Sequence, residues 1–262
     1  FGKTANGASY RYCENMNTPA DITGGYLLEM DHVNRAQAEI CYFVTTRGTH
    51  VVVKSPECCS QAEMDYIATR YQEFEDAVYN GGVNPTTGKA YTDYVELQSM
   101  AQCYLVNELT KNPDAFSTSA YFYQDAGSGL MTMGPVWDYD LALGVGLGGN
   151  STECATPEHL FTAYSSLGGA LYRIGSFRME VQRMYAETAA PLIDVLCGDE
   201  TAVSADGRLH SIAYYEQQLR DSAVYNAILW PDQQRYSGYQ PGGKTWQGNV
   251  DFLKTYLRAR GD

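Results

Sequence analysis

Residues 134–144, Gly134-Pro-Val-Trp-Asp138-Tyr-Asp140-Leu-Ala-Leu-Gly144, place two carboxylates two positions apart at the end of an apolar and aromatic run, then exit through glycine. In an extended segment, side chains two apart point to the same face. Asp138 and Asp140 are therefore placed to offer oxygen to one hard cation. Magnesium held by one or two carboxylates, and completed by substrate phosphates, is the usual arrangement at phosphoryl-transfer sites. The plainer alternative is turn chemistry, with an aspartate capping the next helix.

Upstream of this stretch, residues 24–30 read as a strand ending in Asp31, and 40–45 and 50–54 as two strands around Arg47-Gly48. Ser60 and Glu63 form a capping-box pattern ahead of Met64, Ile67, Tyr71, Phe74 and Val78, so a helix runs from there to Asn80-Gly81-Gly82. Asp93 and Glu96 open a second helix, which stops at Lys111-Asn112 because Pro113 disfavours helical geometry in the residue before it. Tyr121-Phe-Tyr and Leu130 to Val136 flank Asp125-Ala-Gly-Ser-Gly129, a hairpin signal. Beyond Gly149 helices are expected at about 159–174, 177–197, 207–229 and 247–259. Strands, two helices, a hairpin and then helices make an α+β fold rather than alternating βαβ units.

The chain has 262 residues, 44% of them hydrophobic, which is ample for a buried core, and no apolar run long enough for a membrane span. Its 31 acidic against 18 basic residues leave a net charge of -13, which argues against nucleic acid and anionic lipid as partners. The N-terminus has no signal-peptide character, so an export signal is expected to have been removed or to lie outside this chain. The seven cysteines show neither a CxxC pair nor metal-type spacing with the four histidines. Cys103 reads as a buried small hydrophobe on a helix face. The other six lie nearer loops, with room for one or two disulfides, and the odd total leaves at least one thiol unpaired within the chain. Acidity, low lysine content and 22 tyrosines suit a secreted protein better than a cytosolic one.

Gly25-Tyr-Leu-Leu-Glu29, the strand lysine Lys54, Tyr91-Thr-Asp-Tyr94, Asn107-Glu-Leu-Thr-Lys-Asn-Pro-Asp114, Tyr121-Phe-Tyr and the Trp137-Asp138 stretch, taken in order over roughly residues 24–145, resemble the CotH family. That family is named for a spore-coat protein and has an atypical protein-kinase-like fold. The resemblance implies a kinase-like domain over 1–262, with a small, partial strand-rich lobe at 1–60 and a mainly helical lobe at 61–262 that carries the metal-site hairpin. It also implies further strands before Gly25. Only about two dozen residues precede it, and no GxGxxG loop is present, so an N-terminally shortened domain or an incomplete nucleotide roof is expected.

By the same resemblance, Asp114 is the catalytic aspartate, accepting or orienting the substrate hydroxyl proton; read alone it is a turn or cap residue. Asp138 is the metal-binding aspartate that opens the activation segment, and Asp140 either shares the metal or acts as a cap. Ser119 stands where many kinases carry an asparagine as second metal ligand. Lys54 would hold nucleotide phosphates, oriented by Glu29; the alternatives are an edge lysine that discourages aggregation and a solvated strand carboxylate. Trp137 would wall the nucleotide base or simply pack, and Gly144 would let the backbone approach phosphate.

The implied function is ATP-dependent phosphoryl transfer, with Mg2+ or Mn2+, to a hydroxyl of an extracellular or surface protein in a bacterial setting. The alternatives are a kinase-like binding or adhesion module without catalysis, and a calcium-stabilised structural domain. The expected partner is a protein in either of the first two cases.

Overall fold

The computed structural model describes residues 1–145, 152–231, 243 and 245–261. They divide into two compact units. The first comprises Phe1–Tyr104, Asp114–Asp138 and Thr162–Val181; the second comprises Leu105–Pro113, Tyr139–Phe161 and Gln182–Asp262.

The first unit is built on one antiparallel sheet with the order β1-β2-β4-β5-β3-β6-β7. Its strands are β1 (Gly2–Lys3), β2 (Ser9–Arg11), β3 (Tyr26–Met30), β4 (Tyr42–Val44), β5 (His50–Ser55), β6 (Ala120–Gln124) and β7 (Thr132–Met133). The fold class is α+β, as the order of elements implies. The hairpin of residues 120–133 adds two strands to the sheet begun by the N-terminal residues, and helix α2 (Gln61–Tyr79) lies in the same unit. The division expected at residue 60 therefore does not separate α2 from the strands.

Strand β3 sits between β5 and β6, with Glu29 opposite both Val52 and Tyr121. Alternation sends Leu28 and Met30 to one face and Leu27 and Glu29 to the other. The first face joins Phe43, Val51, Val53 and Phe122, all essentially without exposed surface. α2 covers it, as its three-and-four spacing predicts, burying Met64, Ile67, Tyr71, Phe74 and Val78. The Tyr71 ring meets Phe43 at 5.4 Å and Phe122 at 5.8 Å, both edge-on. The capping box is present: the Ser60 backbone N–H donates to Glu63 Oε2 at 2.8 Å, and the Glu63 N–H returns to Ser60 Oγ at 3.4 Å. On the opposite face, Ala36 of the short α1 (Val33–Ala36) packs with Tyr42 and Val52.

Several boundaries differ from the sequence reading for local reasons. Helix α3 spans Leu97–Thr110, because Glu96 is its cap: that carboxylate accepts from the N–H groups of Gln98 and Ser99. Asp93 instead accepts from the Ala90 N–H in a separate short turn, and Val95 bridges Met131. The expected helix at 159–174 begins only at α5 (Ser166–Arg173), where Ser165 accepts from the Gly168 N–H. The hairpin strand expected to reach Val136 stops at Met133.

In the second unit, α4 (Thr152–Ala155), α7 (Ala190–Leu196), α8 (Ile212–Leu229) and α9 (Trp246–Gly261) accompany the ends of α3 and of α6 (Gly175–Met184). Arg260 of α9 anchors the unit. Its guanidinium meets the Glu108 carboxylate at 2.6 Å and the carbonyls of Pro157 and His159 at 2.7 and 2.9 Å. Lys111 is buried and donates to the Glu153 carbonyl at 3.0 Å and to that of Glu158. Gly144 has φ +87°, and a Cβ there would lie 2.7 Å from the Phe252 ring. Its lack of a side chain makes room for that ring.

All seven cysteines are thiols in this structure. Among the described residues, no helix is long and apolar enough to cross a membrane.

Phe122 ties the sheet to α2 through Tyr71 and Phe74. Phe122→Ala is expected to destabilise the protein by about 3–5 kcal/mol in chemical denaturation, the usual cost of removing a buried ring.

Candidate functional site

The polar patch of the first unit grows from the face of β3 that α2 does not cover. Lys54 and Glu29 lie on adjacent strands and share that face. Lys54 Nζ stands 3.6 Å from Glu29 Oε2 and 2.7 Å from Glu39 Oε1. One ammonium is thus clasped by two carboxylates. Glu39 raises the Lys54 pKa first, against burial, and Glu29 adds to the rise. β5 is the fourth of seven strands, so Lys54 is not an edge lysine. Glu29 is buried, so it is not a solvated strand carboxylate either.

Glu29 also accepts a 2.7 Å hydrogen bond from the Tyr121 hydroxyl across the β3–β6 pair. Burial pushes the Tyr121 phenol upward, followed by its bond to Glu29 and then by the charges of Glu29, Asp31 and Asp138. These carboxylates therefore surround one phenol. Asp31 lies two residues beyond Glu29, and its Oδ1 accepts from Thr118 Oγ1 at 2.7 Å and from the His32 N–H at 2.7 Å.

The segment after α3 supplies the opposite border of the patch. In the turn of residues 114–118, the Asp114 carbonyl accepts from the N–H groups of Ser117 at 3.0 Å and Thr118 at 3.2 Å. The buried Phe116 ring packs 6.1 Å from Tyr104 and holds that turn down. The Asp114 side chain is half-buried. Ser119 Oγ donates to Asp138 Oδ2 at 3.1 Å, joining the residue before β6 to the end of the chain leaving β7. Asp138 and Trp137 are both exposed, the tryptophan at 60%, which removes the reading of Trp137 as a packed core residue.

Phe116, Ser119 and Asp138 have φ of +55°, +51° and +63°. Non-glycine residues rarely adopt this region, and each costs on the order of 1–3 kcal/mol unless the surroundings impose it. The left-handed backbone at Asp138 also breaks the two-residue alternation expected of an extended segment. Asp140 lies in a separate turn, among residues of the second unit, and is exposed. Among the described residues, no three His, Cys, Asp or Glu side chains converge into a self-sufficient metal site. Asp138 and Ser119 do present hard oxygen donors side by side, the kind of partial set that magnesium completes with phosphate oxygens.

Local sequence patterns gave no place in this patch to Asp31, Glu39, Thr118 or Tyr121. Asp31 was within reach of the spacing rule that singles out Asp138 and Asp140, because Glu29 and Asp31 are also two apart at a strand end. Glu39 had no comparable signal, since it reaches Lys54 only through the pairing of β4 with β5.

An antiparallel sheet backed by a capped helix, with a lysine–glutamate pair and aspartates at loop ends on its open side, defines an α+β domain with a polar site. The sequence model of the family described as CotH kinase protein matches residues 12–262, nearly the whole chain, and the protein belongs to that family. No curated protein matches the chain.

Tyr121→Phe removes the hydroxyl donor from Glu29 and is expected to cost about 1–2 kcal/mol, less than for a fully buried charged acceptor because Tyr121 is half-exposed. The raised Tyr121 pKa makes this contribution complete below the ordinary value of 10.0 and lost as pH rises through the folded-state value. Denaturation of both proteins at neutral pH and above pH 10 checks the size and the sign.

Proposed function

We propose that this protein transfers the γ-phosphoryl group of ATP to a hydroxyl of a protein substrate, using Mg2+ or Mn2+. The observation that carries the reading is the Ser119–Asp138 hydrogen bond, beside the Lys54–Glu29 pair, in a chain that belongs to the CotH kinase family. Phosphoryl transfer asks a protein mainly to position groups and neutralise charge. Lys54 is the cation for the nucleotide phosphates, and Glu29, itself held by Tyr121, keeps that ammonium on the open face. Asp138 and Ser119 would hold the metal, which when bound supplies positive charge against the phosphates. Asp114 orients the substrate hydroxyl and takes its proton as oxygen bonds to the γ-phosphorus and the bond to the leaving ADP oxygen breaks. The kinase-like architecture, an extracellular or surface substrate and the bacterial setting are parts of the same proposal.

A second reading has an observation of its own. Glu39 holds Lys54 more closely than Glu29 does. A patch satisfied by its own contacts suits a kinase-like binding module that does no chemistry. A calcium-stabilised structural domain is the remaining alternative.

A thermal-shift titration separates the three. Mg-ATP at about 100-fold above its Kd should raise Tm by roughly 5–10 °C in a domain of this size. Stabilisation by calcium alone would favour the structural domain, and no response to either would favour the binding module.

Asp114→Asn is expected to abolish phosphate incorporation into substrate while retaining Mg-ATP binding and the native melting temperature. Wild-type turnover would remove Asp114 from the mechanism.

Asp138→Asn is expected to abolish divalent-metal binding without loss of fold, since asparagine tolerates the left-handed backbone that alanine would strain. Asp140→Ala should lower metal affinity only partly. Isothermal titration of both variants decides between them, and the reverse ranking would make Asp140 the principal ligand.

A further inference from the structure

Cys13, Cys41, Cys58 and Cys59 are far apart in sequence, yet the β2–β4 pairing and the β5–α2 connection bring them to one place. Cys13 follows β2, and its N–H donates to the Cys59 carbonyl at 2.9 Å. Cys41 precedes β4, is buried, and accepts the Cys59 N–H on Sγ at 3.3 Å. The Cys13 and Cys41 sulfurs lie 3.7 Å apart. Side-chain hydrogen bonding with Cys58 acts on the Cys13 thiol, and with Cys59 on the Cys41 thiol, while the Cys59 thiol also donates to the Pro56 carbonyl at 3.4 Å. The contacts therefore run in a chain: Cys58, Cys13, Cys41, Cys59. The remaining cysteines, Cys103, Cys154 and Cys197, take no part in it and are buried elsewhere.

We propose that these four cysteines close as two disulfides, Cys13 with Cys58 and Cys41 with Cys59. The alternative bond along the chain of contacts, Cys13 to Cys41, would strand Cys58 and Cys59, and adjacent residues lack the Cα separation of 4.4–6.8 Å that an unstrained disulfide uses. Only the proposed pairing follows existing thiol contacts and uses all four groups.

The chemistry is exchange with a disulfide donor, either a small-molecule disulfide or a thiol–disulfide oxidoreductase. Cys13 and Cys58 are half-buried whereas Cys41 and Cys59 are buried, so the donor meets Cys13 or Cys58 first. Cys58 thiolate attacks one donor sulfur and displaces the other as thiolate, giving a mixed disulfide. Cys13 then attacks the Cys58 sulfur and displaces the second donor thiolate, while the protons lost by Cys13 and Cys58 go to the two released thiolates. Two electrons pass to the donor for each bond formed, and the same balance holds for Cys41 and Cys59. The bonds would fasten the ends of β2 and β4 to the connection that carries Ser60, the cap of α2, shortly after the β5 end at Ser55 and close to Lys54. The donor requirement places the folded protein in an oxidising compartment.

The test is thiol counting and disulfide mapping of the full-length chain after equilibration with oxidised glutathione, with alkylation under denaturing conditions. The expected result is three alkylated cysteines (Cys103, Cys154 and Cys197), rising to seven after reduction. Cys58→Ser should free Cys13 alone, and Cys59→Ser should free Cys41 alone, which resolves two neighbours that share one peptide. Reduction of the wild-type protein should lower its Tm. A Cys13–Cys41 bond, seven free thiols, or four thiols protected by stoichiometric zinc would each overturn the proposal.

Discussion

Everything at the site depends on the two-residue alternation of β3 inside an antiparallel sheet. Tyr26-Leu-Leu-Glu-Met30 is flanked on both sides, so neither of its faces is free of consequence. Leu28 and Met30 must be apolar because α2 covers them. Glu29 faces the other way and is nevertheless buried, where an uncompensated carboxylate would be costly. Tyr121 from β6 and Lys54 from β5 supply the hydrogen bond and the opposite charge. A one-residue slip of β3 would exchange its two faces, carrying Glu29 into the aromatic layer under α2 and dispersing the polar patch.

The same arrangement separates rigidity from function. The aromatic layer of Phe43, Tyr71, Phe74 and Phe122 fixes the sheet against the helix, so groups on the opposite face are held by strands rather than by loops. The loop-borne members are fastened differently. Phe116 seats the turn that begins at Asp114, and Ser119 grips Asp138. The left-handed residues at 116, 119 and 138 concentrate backbone strain around that border, an arrangement commonly found where side-chain direction matters more than local stability.

Much of the architecture was legible in local patterns. The capping box at Ser60, the spacing from Met64 to Val78, the strands around Arg47-Gly48 and the glycine-rich hairpin turn each obey short-range rules that survive without tertiary context. Failures occurred where side chains had two short-range uses. Asp93 and Glu96 read as one capping pair, whereas each serves a different backbone. The strand expected to run to Val136 ended earlier because the chain departs from β geometry after Met133. Asp138 and Asp140 looked equivalent only while the backbone between them was taken as extended.

By itself the sequence determined the α+β class, the family, the amphipathic helix that backs the sheet, and the residues around which a phosphoryl-transfer site is read. Those depend on periodicity, on caps and turns, and on ordered motifs within a few residues of one another. Tertiary structure alone decided that β5 is central rather than an edge, that Lys54 is shared by Glu29 and Glu39, that Tyr121 bonds Glu29, and that four dispersed cysteines converge. Each of these depends on which strands lie side by side. Pairing is a long-range choice, made by the burial of whole faces, and no local stretch of residues encodes it.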